Sequence, residues 1–338
     1  MLDILGAVAA TDTTALAAEY ATLIERCGLV DRSERGKLAL TGPGAVEFLN
    51  GQVTNELVGL SPGEGCYAAF LTHKGKMLGD LRILAVGEHP DAQPTELLLD
   101  TERGALQALF DMIRRFKVGY EVELHKRTLE RSLLSLVGPD AMRVAAKAFA
   151  LDPPALGEPE HSHLLASLDR TAVRLIRTDA GVDALLNCTD TAAVRAALEE
   201  AGAAEVSEAA AEIVRVEHGR PRYGIDLDEA TIPQEAGLNE RAVSFTKGCY
   251  VGQETVARLH YKGKPNRHLR GLRLSEPTEP GAALALGERS VGSLGSSVLS
   301  PTLGPIGLAL VRREAEPGAT VSVGVAGASA VVAELPFV

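Results

Sequence analysis

The run KGCYVGQETVARLHYKGKPNRHL, Lys247 to Leu269, gathers cations and a thiol in a chain whose formal net charge is −11. From Lys247 to Arg273 seven basic residues (Lys247, Arg258, Lys262, Lys264, Arg267, Arg270, Arg273) stand against one acid, Glu254. QETVARL has helix-forming composition and follows Gly252, so Cys249 is expected just ahead of a helix N-terminus. There the positive helix end and Lys247 would favour a thiolate, able to react or to bind a metal. The competing reading is a small buried hydrophobe beside Tyr250 and Val251. Arg258, Lys262, Lys264 and Arg267 would neutralise a polyanionic ligand or a phosphate backbone, or else form a solvated rim.

Other residues offer weaker chemistry. Asp80 in GKMLGDLRIL follows a turn and enters a strand run, where a carboxylate meets the amino group of a heterocycle or satisfies the turn. Asp179 and Asp183 in RTDAGVDALL pose the same choice. His161 and His163 lie in the Pro-rich, acidic stretch LDPPALGEPEHSH, read as a surface loop, with no third metal ligand in view. Cys27, Cys66, Cys188 and Cys249 are far apart without a CxxC. Neither a zinc ribbon nor a self-contained cluster site is therefore expected, and metal chemistry would need a partner's ligands. GCYVGQE lacks the GxxxxGK[ST] of a phosphate loop, and there is no Rossmann fingerprint or nucleophile elbow, so nucleotide, dehydrogenase and hydrolase readings have no footing.

The elements that must position these residues show a repeat. LALTGPGAVEFL (Leu38 to Leu49) and LSLVGPDAMRVA (Leu134 to Ala145) both run apolar strand, Gly-Pro, then an apolar helical pattern, 96 residues apart. Proline suits a first helical turn, where its missing N–H has no partner to lose. A second echo sets Leu97 to Leu99 and ERGALQALFDMIRRF beside Ala184 to Leu186 and DTAAVRAALEEAG. Residues of about 28–120 and 128–205 therefore read as two copies of a β-α-β-β-α unit, the ferredoxin-like plan. After Pro265 short apolar or alternating runs bounded by Gly, Pro and Ser predict a small antiparallel barrel or sandwich. The cysteine motif falls on the seam.

With 338 residues the chain exceeds the roughly 250 at which single cores stop growing, so two or three domains are expected. Apolar and charged contents of 46% and 23% are those of a soluble globular protein. The absence of tryptophan and a pI near 5.3 argue against stacked single-stranded nucleic acid and against direct nucleic-acid binding. No apolar run approaches the roughly 20 residues of a membrane helix, and MLDILGAVAATDTT carries an acid where a signal peptide carries Lys or Arg. A cytoplasmic location is expected, with no membrane partner.

KGCYVGQETVAR resembles the signature of the YgfZ family of folate-binding proteins, relatives of the T-protein (aminomethyltransferase) of the glycine cleavage system. GLVDRSERGKLALTGPGAVEFLNGQVTNEL, RVEHGRPRYGIDLDEATIPQEAGL and SVLSPTLGPIGLALV are similar to the corresponding segments of both groups, so the resemblance spans nearly the whole chain. It implies an α+β fold, a duplicated ferredoxin-like core around a central folate site, closed by a C-terminal small antiparallel β-barrel. The expected parts are the first half of the core (1–125), the second half (126–246), the signature and seam (247–269) and the barrel (270–338).

The implied function is a tetrahydrofolate-binding accessory factor for assembly or repair of iron-sulfur proteins, including tRNA-modifying enzymes, with Cys249 as the working residue. The implied partners are iron-sulfur cluster assembly proteins or their client enzymes. The folate, polyglutamylated or not, would set its tail carboxylates against cations and its pterin amino group against a carboxylate. Asp80, Asp179, Arg215, Lys247, Tyr250, Gln253 and Arg258 are the implied contacts. Two departures separate the chain from T-proteins: KGCYVGQE stands where they read like KGDFIGKE, and Gly79-Asp80-Leu81 where they read like Asp-Asp-Leu. Loss of one acid weighs against methylene transfer, which a carboxylate aids by stabilising positive charge. The alternatives are a folate-dependent one-carbon transferase, the aminomethyltransferase of glycine cleavage, and a tRNA-binding accessory module using the basic tail.

Overall fold

The two Gly-Pro turns occupy equivalent places in a duplicated structure. The computed structural model describes residues 13–152, 155–324 and 327–338. The first residues of the N-terminal stretch read for a leader, and two prolines of the Pro-rich loop, lie outside them. Gly42 (φ +105°) and Gly138 (φ +121°) adopt left-handed backbone, and a Cβ at either would strike a carbonyl, that of Glu121 or that of Arg26. Those carbonyls accept from Gly44 N at 3.2 Å and Asp140 N at 3.0 Å. The offset of 96 residues is thus kept down to single hydrogen bonds.

The first half runs α1 (Thr13–Glu25), β1 (Gly28–Asp31), β2 (Gly36–Thr41), α2 (Ala45–Asn50), β3 (Gly65–Leu71), β4 (Met77–Val86), β5 (Glu96–Thr101), α3 (Leu106–Phe116) and β6 (Glu123–Lys126). The second runs β7 (Arg131–Val137), α4 (Ala141–Ala148), β8 (His163–Leu168), β9 (Thr171–Thr178), β10 (Gly181–Asn187), α5 (Thr191–Ala201), β11 (Ala204–Glu205) and α6 (Glu208–Glu217). One sheet has the order β3-β4-β5-β2-β6 and the other β8-β9-β10-β7-β1-β11. The orders match once β1 is set aside as a strand of the first half lent to the second sheet. Each half carries three strands between its helices and a closing strand, one strand more in the middle than the expected β-α-β-β-α unit. The small residues of GCYAAFL gave β3 too weak an apolar signal to register as a strand.

Each sheet buries one face under its helices. Leu38, Leu40, Leu81, Ile83, Leu97 and Leu99 pack with Phe48 of α2 and Leu109 and Ile113 of α3. Leu134, Leu136, Val173, Leu175, Val182 and Leu186 pack with Val144 of α4 and Val194 and Leu198 of α5. Helix α6, whose N-cap Ser207 accepts from Ala210 N, packs with α1 against Val30 and Val137.

A linking segment with α7 (Asn239–Ala242) and α8 (Gln253–Lys262) leads to the barrel. Its strands are β12 (Arg267–Leu274), β13 (Ala283–Leu286), β14 (Arg289–Ser300), β15 (Gly304–Arg312), β16 (Thr320–Val323) and β17 (Ala328–Ala333). They close in the order β12-β15-β14-β13-β16-β17, all antiparallel. Closure leaves no free edge. Leu269, Ile306 and Leu308 of the barrel pack on Val216 of α6, docking it to the core. Among the described residues no helix is long and apolar enough to cross a membrane.

Candidate functional site

The faces of the two sheets turned away from their helices meet around a cavity of about 420 Å³, within the range of roughly 300–1,000 Å³ usual for small-molecule sites. Direct register places Tyr67, Arg82, Asp100 and Lys37 in one row across β3, β4, β5 and β2, with Asp80 on the same face of β4. On the other sheet Asp183 of β10 is paired with Ser135 of β7. Arg82 joins the sheets: it donates to Asp183 Oδ2 at 2.6 Å and to Asp100 Oδ2 at 2.7 Å. Ser135 donates its hydroxyl to Asp183 Oδ1 at 2.6 Å, and Arg35 donates to Asp100 Oδ1 at 2.8 Å and to Glu102. Burial alone would raise the Asp100 carboxyl, but Arg35 and Arg82 outweigh it and hold the group below its usual range.

Most charges lining the cavity are paired in this way. Arg241 binds Glu160 and lies 5.0 Å from the Tyr67 ring centre. Arg220 pairs with Asp179 at 2.7 Å, and Arg222 with Glu208 at 2.6 Å. Asp80 differs. It is 4% exposed and, among the described residues, has no ion pair. Burial pushes its carboxyl up to about 6, with the Tyr67 hydroxyl offsetting part of the rise. Such a group takes hydrogen bonds when ionised and gives one when protonated, close to neutral pH. Its placement depends on Gly79, where the strand register shifts and a Cβ would lie 2.6 Å from the Phe70 ring.

Of the folate contacts that the resemblance implies, Asp80, Asp179 and Arg215 line this cavity and Lys247, Tyr250, Gln253 and Arg258 do not; Asp183, nominated beside Asp179, lines it as well. Arg215 sits at the end of α6 with its donors committed: to Glu212, to Asp226 Oδ2 at 2.9 Å, to the Arg220 carbonyl and to Ser296 of β14. It ties helix, loop and barrel together, and none of its nitrogens is left for a ligand. Lys247 is likewise committed. Its ammonium donates to the carbonyls of Asn50 (2.7 Å), Val53 (3.0 Å) and Asn55 (2.5 Å), capping the end of α2 in a site that burial depresses to about 8. Three donors meet three carbonyls, so no donor remains for a folate carboxylate, and its charge is turned inward rather than toward Cys249. Tyr250 is buried beside Leu71, Met77 and Val256, and Gln253 opens α8.

Cys249 is exposed, which removes the reading as a packed core thiol. Gly252 is the N-cap of α8 in left-handed backbone (φ +84°), pressed against the β3–β4 turn, where its Cβ would lie 2.6 Å from the Thr72 carbonyl. Arg258, Lys262 and Lys264 are exposed, whereas Arg267 is paired with Glu235 at 2.8 Å. The motif therefore forms an outer face, separate from the cavity.

Sequence reasoning missed Tyr67, Arg82 and Arg241 as cavity residues. The signal for Arg82 lay in DLRIL, where two charges two apart share one face of an otherwise apolar strand. The two histidines were assigned to a surface loop, yet His161 is 7% and His163 5% exposed. His161 lines the cavity, and neither of its ring nitrogens has a hydrogen-bond partner among the described residues. His163 Nδ1 accepts from Arg174 at 2.9 Å. No group of three or more potential metal ligands occurs among the described residues.

The same architecture occurs in known proteins. A crystal structure of the glycine cleavage system aminomethyltransferase T from Bartonella henselae superposes with a TM-score of 0.84 at 26% identity, covering 96% of this chain and 89% of that one. The aminomethyltransferase of Rubrobacter xylanophilus is 30% identical over 327 residues, 95% of this chain and 85% of the relative. That of Halothermothrix orenii is 26% identical over 339 residues, 96% and 92% of the two chains. Residues 9–247 match the GCVT N-terminal domain and residues 267–338 the glycine cleavage T-protein C-terminal barrel domain, so the chain belongs to the GCVT family of aminomethyltransferase-like proteins.

Proposed function

We propose that this chain binds tetrahydrofolate in the central cavity and acts as an accessory factor for assembly or repair of iron-sulfur proteins, tRNA-modifying enzymes among them, through Cys249. The observation that carries the folate reading is Asp80, a buried carboxyl that, among the described residues, forms no ion pair in a cavity where the neighbouring charges are paired. A pterin presents ring N–H and amino donors, which such a group accepts, while Tyr67 supplies an aromatic wall. The residues present fit the group. Bound there, tetrahydrofolate would supply a one-carbon carrier; the chain's own part is to exclude water, orient the ring through Asp80 and keep Asp80 titratable.

The iron-sulfur part rests on the likeness of KGCYVGQE to the YgfZ signature and on Cys249 being exposed and outside the cavity, where a partner could reach it. A second reading, a folate-dependent aminomethyltransferase, is favoured by the retained Asp80 and by relatives that bear that name. Cells deleted for the chain distinguish the two. Aconitase activity, a methylthiolated tRNA product and glycine cleavage are assayed side by side, with wild type or Cys249→Ala restored. The accessory reading expects the first two to fall and only wild type to rescue them; a fall in glycine cleavage alone replaces it with the transferase.

A further inference from the structure

We propose that His161 is a ligand-contacting residue of the central cavity, its imidazole hydrogen-bonding the heterocycle that binds there. The inference deepens the folate reading and rests on it for the identity of the ligand. Three observations converge. The side chain is 9% exposed and, among the described residues, Nδ1 and Nε2 both lack a hydrogen-bond partner, which leaves a donor and an acceptor buried on the cavity wall without compensation. The residue holds left-handed backbone, φ +71°, a strained choice for a side chain with a Cβ and one that recurs at binding sites. Its ring lies 6.4 Å from that of Tyr67 at an interplanar angle of 29°, on the wall that also carries Asp80.

The next histidine provides the contrast. His163 has one nitrogen satisfied by Arg174 and does not line the cavity. Glu160 is no partner for His161 either: its carboxylate is 3.5 Å from Nε2 and is held by Arg241. The groups facing the ring are Glu160 and Asp179, which favour its protonation, and Arg82 and Arg241, which oppose it; burial exceeds them all and lowers the imidazole to about 4. The ring is therefore neutral at physiological pH, with one nitrogen donating and the other accepting. Asp80 alone, when ionised, can only accept. An uncharged heterocycle carrying both ring N–H groups and a carbonyl oxygen uses both residues, Asp80 for its donors and His161 for its acceptor. A purely anionic ligand would take the His161 donor alone and leave ionised Asp80 without a partner.

The test is the affinity of wild type, His161→Phe and His161→Gln for 5-formyltetrahydrofolate by calorimetry, with melting temperatures, and the ring ¹⁵N shifts of His161 in histidine-labelled wild type. Loss of one buried hydrogen bond predicts about tenfold weaker binding for Phe, a melting temperature equal to or above wild type, partial recovery with Gln, and ¹⁵N shifts that move on saturation. Phe binding within about twofold of wild type, or ring shifts unmoved while wild type saturates, overturns the role of His161 and leaves the folate reading standing. Wild type that gives no binding overturns both.

Discussion

Asp80 is raised above the ordinary carboxylate range whereas Asp100 and Glu160 are held below it, and that makes it separable by pH. Its folded pKa, about 6, lies above the ordinary 3.8, so the folded chain holds this proton more tightly than the unfolded one. Its contribution to stability is complete below about pH 4 and is lost as pH rises through about 6. Asp80→Asn, which keeps the shape and cannot ionise, should therefore gain on wild type between pH 4 and 7, by up to about 3 kcal/mol for a shift of about two units. Melting curves across that range check it; a difference that does not change with pH would mean that the Tyr67 hydroxyl and Arg35 hold the carboxyl ionised in the fold against burial and Glu102. Cys249→Ala should leave stability within about 0.5 kcal/mol of wild type, as exposed substitutions do, and a larger loss by denaturant titration would show a packed thiol. Asp80 was legible as a lone acid entering an apolar strand, and Cys249 as a thiol among cations. Lys247 was misread because a sequence displays a cation and hides the three carbonyls that engage it. His161 was hidden because prolines and acids around it read as a solvated loop.

Helix α8 and the turn beneath it depend on two glycines in contact. Gly252 is left-handed and its backbone faces Gly75, itself at φ +75°. Gly252→Ala adds a Cβ against the Thr72 carbonyl and is expected to cost about 2 kcal/mol. Urea denaturation measures it; a neutral substitution would show that the motif loop can lift off the β3–β4 turn. At this scale the repeat was readable because Gly-Pro at a strand end fixes both the turn and the start of the helix. Two things were not. Strand β3 carries too many small residues to announce its period, and β1 crosses to the other sheet, a long-range pairing with β7 that no local pattern encodes.

For the molecule as a whole, the cavity exists because two homologous sheets are held with their polar faces together. Arg82 is the link, 7% exposed and bonded to an acid on each side. Arg82→Met would leave Asp100 without one of its two arginines and Asp183 without its cation, and should cost about 3–5 kcal/mol. A loss below about 1 kcal/mol in denaturant would mean that the halves are held by the α6 and barrel contacts alone. The barrel was foreseen from short runs punctuated by glycine, whereas the cavity draws on strands, turns and a helix spread over more than 150 residues and assembles only in the fold. Equilibrium titration of tetrahydrofolate into wild type, Asp80→Ala and Cys249→Ala shows whether the cavity and the cysteine loop act separately. Wild type and Cys249→Ala should bind equally, with Asp80→Ala weaker by about tenfold or more. Binding that survives Asp80→Ala and fails with Cys249→Ala would move the ligand from the cavity to the seam.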